Sequence, residues 1–436
     1  MRIFLLYKFC DFIFHEKYKD NSSLFKTQSN NVVAMSSKKW NFDEIVDRNG
    51  TNAVKWDPKF LEELFGVGDL LPLWVADMDF KAPDVLLDAL KERINHGVFG
   101  YTIPGDSYYQ SIINWFKRRH NWKIEKDWIK ISPGVVPAIN FIIQGFSKPG
   151  DNIIIQEPVY HPFASCIKGN GRIVLNNELV IKEKRYEMNF KDLEEKCKSH
   201  RTKQLILCSP HNPVGRVWTK SELKQLGEIC IDNNVLVISD EIHCDLIFQN
   251  NKHIPFASIS KKFADSSITC VAPSKTFNVA GLKSSNVIIP NKKLLDEFTT
   301  VTTNLTIRGI TILGYIATET VYNKCEEWLD ALLEYLWKNY LFMVEFFKEN
   351  LPTVKVFDLE GTYIPWVDFS ALGIDHKILD DIIKKDAKVG LDAGTKFGES
   401  GAGFQRINIA CPQAILKEAL ERIHKAITAH LAKKAS

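Results

Sequence analysis

The chain has 436 residues, 45% of them hydrophobic and 25% charged, the composition of an ordinary globular protein. Its formal net charge is only +3 and its basic residues are scattered, so neither nucleic acid nor an anionic membrane is implied as a partner. Nine cysteines, an odd number without a C-x-x-C pair and partly inside apolar runs, read as buried thiols in a reducing compartment rather than disulfides or a zinc site.

Residues 1–34 differ in texture from the rest. An apolar patch within Met1–Cys10 is broken by Lys8 and Asp11 and followed by Asn/Ser-rich sequence, which is too short and interrupted for a membrane span. Met35 reads as a natural start, so 1–34 are expected to be a poorly ordered N-terminal extension. Asp11, Glu16 and Asp20 weigh against an organelle-targeting leader, which stays open as the alternative to a cytoplasmic protein. From residue 40, helical and strand patterns alternate, the signature of an α/β protein. Pro83–His96, with Val85, Leu86, Ala89, Leu90 and Ile94 on one face, is predicted as a helix with proline at its start. Val135–Phe146 reads as a buried helix behind the turn Ser132-Pro133-Gly134. Strands are predicted at Asn152–Gln156, Gln204–Cys208, Val235–Ser239, Ile268–Ala272 and Asn286–Ile289, and Lys220–Asn233 as an amphipathic helix between two of them. Near-continuous apolar strands imply a mostly parallel sheet with helices on both faces. After a long helix over Cys325–Asn350 come strands at Val354–Phe357 and Tyr363–Phe369. A last helix carries Leu416, Leu420, Ile423, Ile427 and Leu431 as a core stripe. The expected division is a large domain over 82–325 and a smaller α+β domain from 35–81 and 326–436.

Ligands of open parallel sheets bind beyond the carboxyl ends of the strands. Gln204–Cys208 runs into Ser209-Pro210-His211-Asn212-Pro213-Val214-Gly215, Val235–Ser239 into Asp240-Glu241-Ile242-His243, and Ile268–Ala272 into Pro273-Ser274-Lys275. These ends offer an amide, an acid and an amine, the groups that pyridoxal 5′-phosphate (PLP) needs. Lys275, desolvated behind a buried strand, could condense as a neutral amine with the aldehyde and later take a proton from Cα; alone it could equally be a solvated surface lysine. Asp240 could keep the pyridine nitrogen protonated, or simply cap a helix. Asn212 could donate to the ring hydroxyl, or serve only as turn chemistry. The N–H groups of Val135 and Val136 at a helix start could cradle the phosphate with the Ser274 hydroxyl, although glycine-initiated helices are frequent without one. Tyr160 could stack on the ring or be a half-buried core tyrosine. Arg406, in the alternating run Phe404–Ile409, could clamp a substrate carboxylate or be an ordinary surface arginine.

Taken together, the motifs Leu73–Phe80, His96–Tyr101, Pro133–Pro137, Pro158–Tyr160, Ser209–Gly215, Ser239–His243, Ser274–Asn278 with Ala280-Gly281-Leu282, and Arg406–Pro412 carry a resemblance. From about Phe42 to the final helix the chain resembles fold-type I PLP enzymes of the class I/II aminotransferase superfamily. Within them it resembles the cystathionine β-lyase (C–S lyase, MalY/PatB-type) branch. The resemblance implies PLP as cofactor, with no metal. It implies Lys275 as the lysine that bonds the cofactor, Asp240 as the pyridine-nitrogen partner and Asn212 as the ring-hydroxyl donor. It also implies Tyr160 as the stacking ring, Val135 and Val136 as phosphate amides, and Arg406 as the carboxylate arginine. Tyr101 is implied to cross a homodimer interface to the neighbour's phosphate. Some members have serine three residues before the lysine, where this chain has Ala272, which leaves more to Ser274 and the valine amides. His243 stands where aspartate-type aminotransferases have tyrosine and points to the lyase branch. The implied reaction is α,β-elimination on cysteine-type amino acids such as cystathionine, giving pyruvate, ammonia and a thiol. The alternatives are an aminotransferase and, remotely, a catalytically silent binding or regulatory protein.

Overall fold

The computed structural model describes residues 40–435 except 308. The extension expected over 1–34 and Cys10 lie outside these residues. Seven strands build the principal sheet: β1 (Ile129–Ser132), β2 (Asn152–Ile155), β3 (Ile173–Asn176), β4 (Thr202–Cys208), β5 (Leu236–Asp240), β6 (Ser267–Val271) and β7 (Ser285–Ile288). Their spatial order is β1-β7-β6-β5-β4-β2-β3. All pairings are parallel except those of β7, which runs antiparallel to both β6 and β1.

Side chains alternate between two apolar layers, as the period of two requires. Ile153, Ile206, Ile238 and Ile268 meet Ala138, Ile139, Ile142 and Ile143 of α1 (Val135–Phe146) on one face. Ile154, Leu205, Leu207 and Val237 meet Leu223, Leu226 and Cys230 of α2 (Lys220–Asp232) on the other. α2 begins at a capping box in which Thr219 and Glu222 satisfy each other's backbone N–H. Burial on both faces contributes about 1.5–3 kcal/mol for each such aliphatic side chain.

A second, antiparallel sheet of β8 (Lys355–Val356), β9 (Trp366–Asp368), β10 (Asp392–Ala393) and β11 (Phe404–Arg406) has the order β8-β9-β11-β10. The strand expected over Tyr363–Phe369 starts only at Trp366, because Pro365 has no N–H to give a ladder. The helix expected from Cys325 is α4 (Glu326–Asn350); its Leu332, Leu336, Met343 and Phe347 share a core with Leu416, Leu420, Ile423 and Ile427 of the last helix. Segment 74–80 is tied both to the chain that follows β11 and to the chain that follows β6. Asn408 donates to the carbonyls of Val75 and Asp77 (2.7 Å each), while Asn278 binds Met78 N–H and the Met78 and Phe80 carbonyls (3.0 Å each). Among the described residues all eight cysteines are free and buried, and no helix is long and apolar enough to cross a membrane.

Candidate active site

Cys208, Asp240 and Cys270 are direct neighbours across β4, β5 and β6. The residues that follow them therefore leave the sheet at one edge, the place where parallel sheets bind ligands. A cavity of about 670 Å³ lies there, lined by Val135, Val136, Tyr160, Asn212, Asp240, His243, Ser274, Lys275 and Arg406. Every residue singled out from the sequence is in its wall except Tyr101.

Lys275 sits on α3 (Pro273–Thr276), a single helical turn whose Pro273 needs no N–H partner. Its Nζ donates to the Ala76 carbonyl, which also accepts from the Tyr363 hydroxyl at 2.9 Å. Burial pushes the ammonium down to about 8; the positive charge of Arg406 acts in the same direction, while Asp77 and Asp240 oppose it. Asp240 ends β5 and is buried. Burial pushes its carboxyl up to about 7, helped by Glu241, against a hydrogen bond from Ile242 N–H (3.1 Å) and the charge of Lys275. A turn, not a helix, follows Asp240, so the helix-cap reading fails and the acid is left facing the cavity.

Arg406 is buried, which excludes the surface-arginine reading: all of β11 is buried because β9 and β10 flank it. Its guanidinium donates to Asn212 Oδ1 (2.9 Å), to the Trp74 carbonyl (3.0 Å) and to Asp392, and lies 4.7 Å over the Phe397 ring. Its Nε has no partner. Because Asn212 turns its oxygen to Arg406, the amide nitrogen is its remaining polar end. His243 is buried and pushed well below its ordinary range, first by burial and then by Lys275 and Arg406; its Nδ1 is also unpartnered. Tyr160, pushed up to about 12 by burial and by Asp240, is a neutral phenol set edge-on to Phe163. In the same cavity α1 starts after Gly134 with no side-chain cap, so its first N–H groups, those of Val135 and Val136, are open to an anion.

This donor set fits PLP. An uncapped helix start meets phosphate chemistry, a buried acid without an ion-pair contact meets a pyridinium, and a partly neutral amine meets an aldehyde. The unpartnered Arg406 Nε meets a carboxylate. Sequence reasoning missed Lys283, Asp392, Lys396 and the role of the 74–76 backbone, all in the same wall. Lys283 adds a cation to that wall and holds a left-handed φ of 54°. Its one sequence signal was its place just past the Ala280-Gly281-Leu282 motif. Asp392 and Lys396 (2.7 Å apart) stand in no motif, and Asp392 is recognisable only once β10 is seen beside β11. Tyr101 is fully exposed, in a stretch where Val98, Phe99 and Ile103 are exposed too.

Comparison with known proteins agrees along the chain. Residues 68–423 match the family Aminotransferase class I and II. The chain is 44% identical over 388 residues to cystathionine beta-lyase PatB of Bacillus subtilis, covering 89% of this chain and all of that protein. A PLP-bound protein of Clostridium difficile 630, provisionally called an aminotransferase, superposes with a TM-score of 0.87 at 50% identity, covering 89% of this chain and 100% of that one. The PLP-bound C–S lyase of Staphylococcus hominis superposes with a TM-score of 0.84 at 35% identity, covering 89% and 98%. The chain therefore belongs to the class I and II aminotransferase family and has the fold-type I architecture of its PLP-dependent members.

Proposed function

We propose that this protein is a PLP-dependent carbon–sulfur β-lyase that converts cysteine-type amino acids such as cystathionine, with water, into pyruvate, ammonia and a thiol. The observation that carries the choice of reaction is the full-length, 44% identity to a cystathionine β-lyase. The cavity supports it. When bound, PLP supplies an electron-withdrawing ring that acidifies the substrate Cα–H and allows a thiolate to depart from Cβ. Lys275 would hold the cofactor and, once the substrate amine has displaced it, would take the Cα proton on Nζ as a neutral amine; in the cofactor-free protein a value near 8 keeps part of its population neutral at physiological pH. With PLP bound, Asp240 would hold the ring nitrogen protonated, Asn212 would donate to the ring hydroxyl, and Tyr160 would stack on the ring. The N–H groups of Val135 and Val136, the Ser274 hydroxyl and Lys283 hold the phosphate. Arg406 orients the substrate α-carboxylate and so presents Cα to the lysine.

The same reading includes a homodimer. Exposed Val98, Phe99, Tyr101 and Ile103 form an apolar run suited to burial against a second copy, with Tyr101 reaching the partner's phosphate. It also keeps the division into a large part (82–325) and a smaller one (35–81 and 326–436), with the cavity between residues of both. Amino transfer is the second reading, favoured by the Clostridium difficile neighbour and served by the same residues. Incubating PLP-loaded protein with cystathionine, and separately with an amino donor plus a keto acid, separates them. Release of pyruvate and ammonia from cystathionine supports the lyase; keto-acid-dependent transfer without it overturns that assignment.

A further inference from the structure

Behind the wall that carries Lys275 lies a second buried polar cluster centred on Asp245. Its Oδ2 accepts from the Thr276 hydroxyl (2.9 Å); its Oδ1 accepts from Trp115 Nε1 (3.0 Å) and lies 2.8 Å from His120 Nε2. Thr276 and Trp115 are wholly buried, and Asp245 and His120 nearly so. One carboxylate thus joins three pieces of chain: the helix Asp106–His120, the turn after β5 that carries His243, and the helical turn that carries Lys275.

We infer that Asp245 is a positioning residue for Lys275, acting through the hydroxyl of Thr276. The inference rests on the proposed role of Lys275 as the reacting amine. α3 has only four residues, closed by Phe277 N–H to the Pro273 carbonyl (2.9 Å), so its own hydrogen bonding cannot fix its orientation. Successive helical side chains diverge by about 100°. Thr276 therefore anchors a different face of the turn from the one that sends Lys275 into the cavity. Without that anchor, the side-chain hydrogen bonds that tie the turn to the rest of the fold are those of Asn278 to Met78 and Phe80 and that of Lys275 to Ala76, and the latter is a bond of the reacting group itself. Burial pushes the Asp245 carboxyl up, but hydrogen bonds from His120 and Thr276 outweigh it and hold the group below its ordinary range. A buried ion costs several kcal/mol to desolvate and an apolar core would avoid that cost, so a directional role accounts for its use better than stability does. His120, Cys244 and Asp245 also place donor atoms within 4.8 Å of one another, the spacing of a metal site. His120 and Asp245 bond each other, however, and burial holds the Cys244 thiol well above its ordinary range and so protonated.

The test compares Thr276→Val, which keeps the shape and removes the hydroxyl, with Thr276→Ser, which keeps the hydroxyl, and with Asp245→Asn. The groups facing Lys275, namely Asp77, Asp240, His243 and Arg406, are untouched in all three. Without substrate, the pH midpoint of the visible absorbance of PLP-loaded Thr276→Val should move by about 0.5 unit or more. With cystathionine, its kcat should fall about 10- to 100-fold while KM stays within about twofold, because Arg406 still holds the carboxylate. Thr276→Ser should match wild type and Asp245→Asn should follow Thr276→Val. A Thr276→Val protein with an unmoved midpoint and unchanged kcat overturns the inference, even if it melts lower. If wild type releases no pyruvate from cystathionine, the lyase reading fails, while the absorbance midpoints still decide the positioning role.

Discussion

Replacing Arg406 by lysine keeps the charge and removes the fork. The guanidinium donates to Asn212, to the Trp74 carbonyl and to Asp392, and still has Nε to offer. A lysine ammonium, on a stem that places one point charge, cannot hold Asn212 and a substrate carboxylate in the same plane. Each charge-assisted hydrogen bond is worth about 1.5–3 kcal/mol. Losing the bond that Nε offers the carboxylate should therefore reduce kcat/KM about 10- to 150-fold, at 1.36 kcal/mol per decade. The bond exists before and during the reaction, so the loss should appear mainly in KM. Pyruvate release measured against cystathionine concentration gives both constants, and a thermal melt separates this effect from unfolding. The melt should change little in Arg406→Lys, because Asp392 keeps Lys396 at 2.7 Å and gains the new ammonium as a neighbour. A wild-type KM in a folded Arg406→Lys protein would refute the assignment of Arg406 to the carboxylate.

Lys275→Ala should lose the visible absorbance of PLP-loaded protein and reduce pyruvate release to background; persistent release would remove Lys275 from the reaction. The rate at which cofactor-free protein takes up PLP should rise about tenfold per pH unit below the Lys275 value and level off above it, since only the neutral amine attacks an aldehyde. The value of about 8 places that bend, and stopped-flow absorbance measures it. Asp240 has a folded value raised to about 7 from 3.8, so the folded state binds its proton more tightly than the unfolded chain does. Its contribution is present at low pH and is lost as pH rises through about 7. Asp240→Asn should therefore melt higher than wild type at pH 8 in cofactor-free protein and not at pH 4, while kcat falls by orders of magnitude; equal melts at pH 8 would contradict the burial argument. Gly394→Ala should destabilise by about 3 kcal/mol or more in urea denaturation, because backbone rather than a side chain must yield. The added Cβ would lie 2.0 Å from the Gly401 carbonyl and 2.8 Å from that of Phe404.

What could be read before folding depended on whether a residue's environment is local. Asp240, Asn212 and Lys275 were legible because each comes within a few residues of the end of an apolar run, and parallel pairing brings such ends to one edge without further information. Strands β4, β5 and β6 were legible for the same reason: burial on both faces writes itself as a continuous apolar stretch. The two edge strands were not. β1 is Ile-Lys-Ile-Ser and β3 begins with an exposed isoleucine, so neither shows that stretch. The Arg406 surroundings were illegible for a different reason. Asp392 lies 14 residues upstream, Trp74 lies 332 residues away and Asn212 lies 194 away, and only the meeting of β10, β11 and segment 74–80 makes them neighbours. The same holds for Asp245 and Thr276, 31 residues apart. A residue that acts on a ligand leaves a trace in its own segment, whereas one that orients it leaves its trace in another. The groups that set the direction of Lys275 and Arg406 are therefore those that a motif search passes over, and they are where substitutions should change rate without changing which cofactor binds.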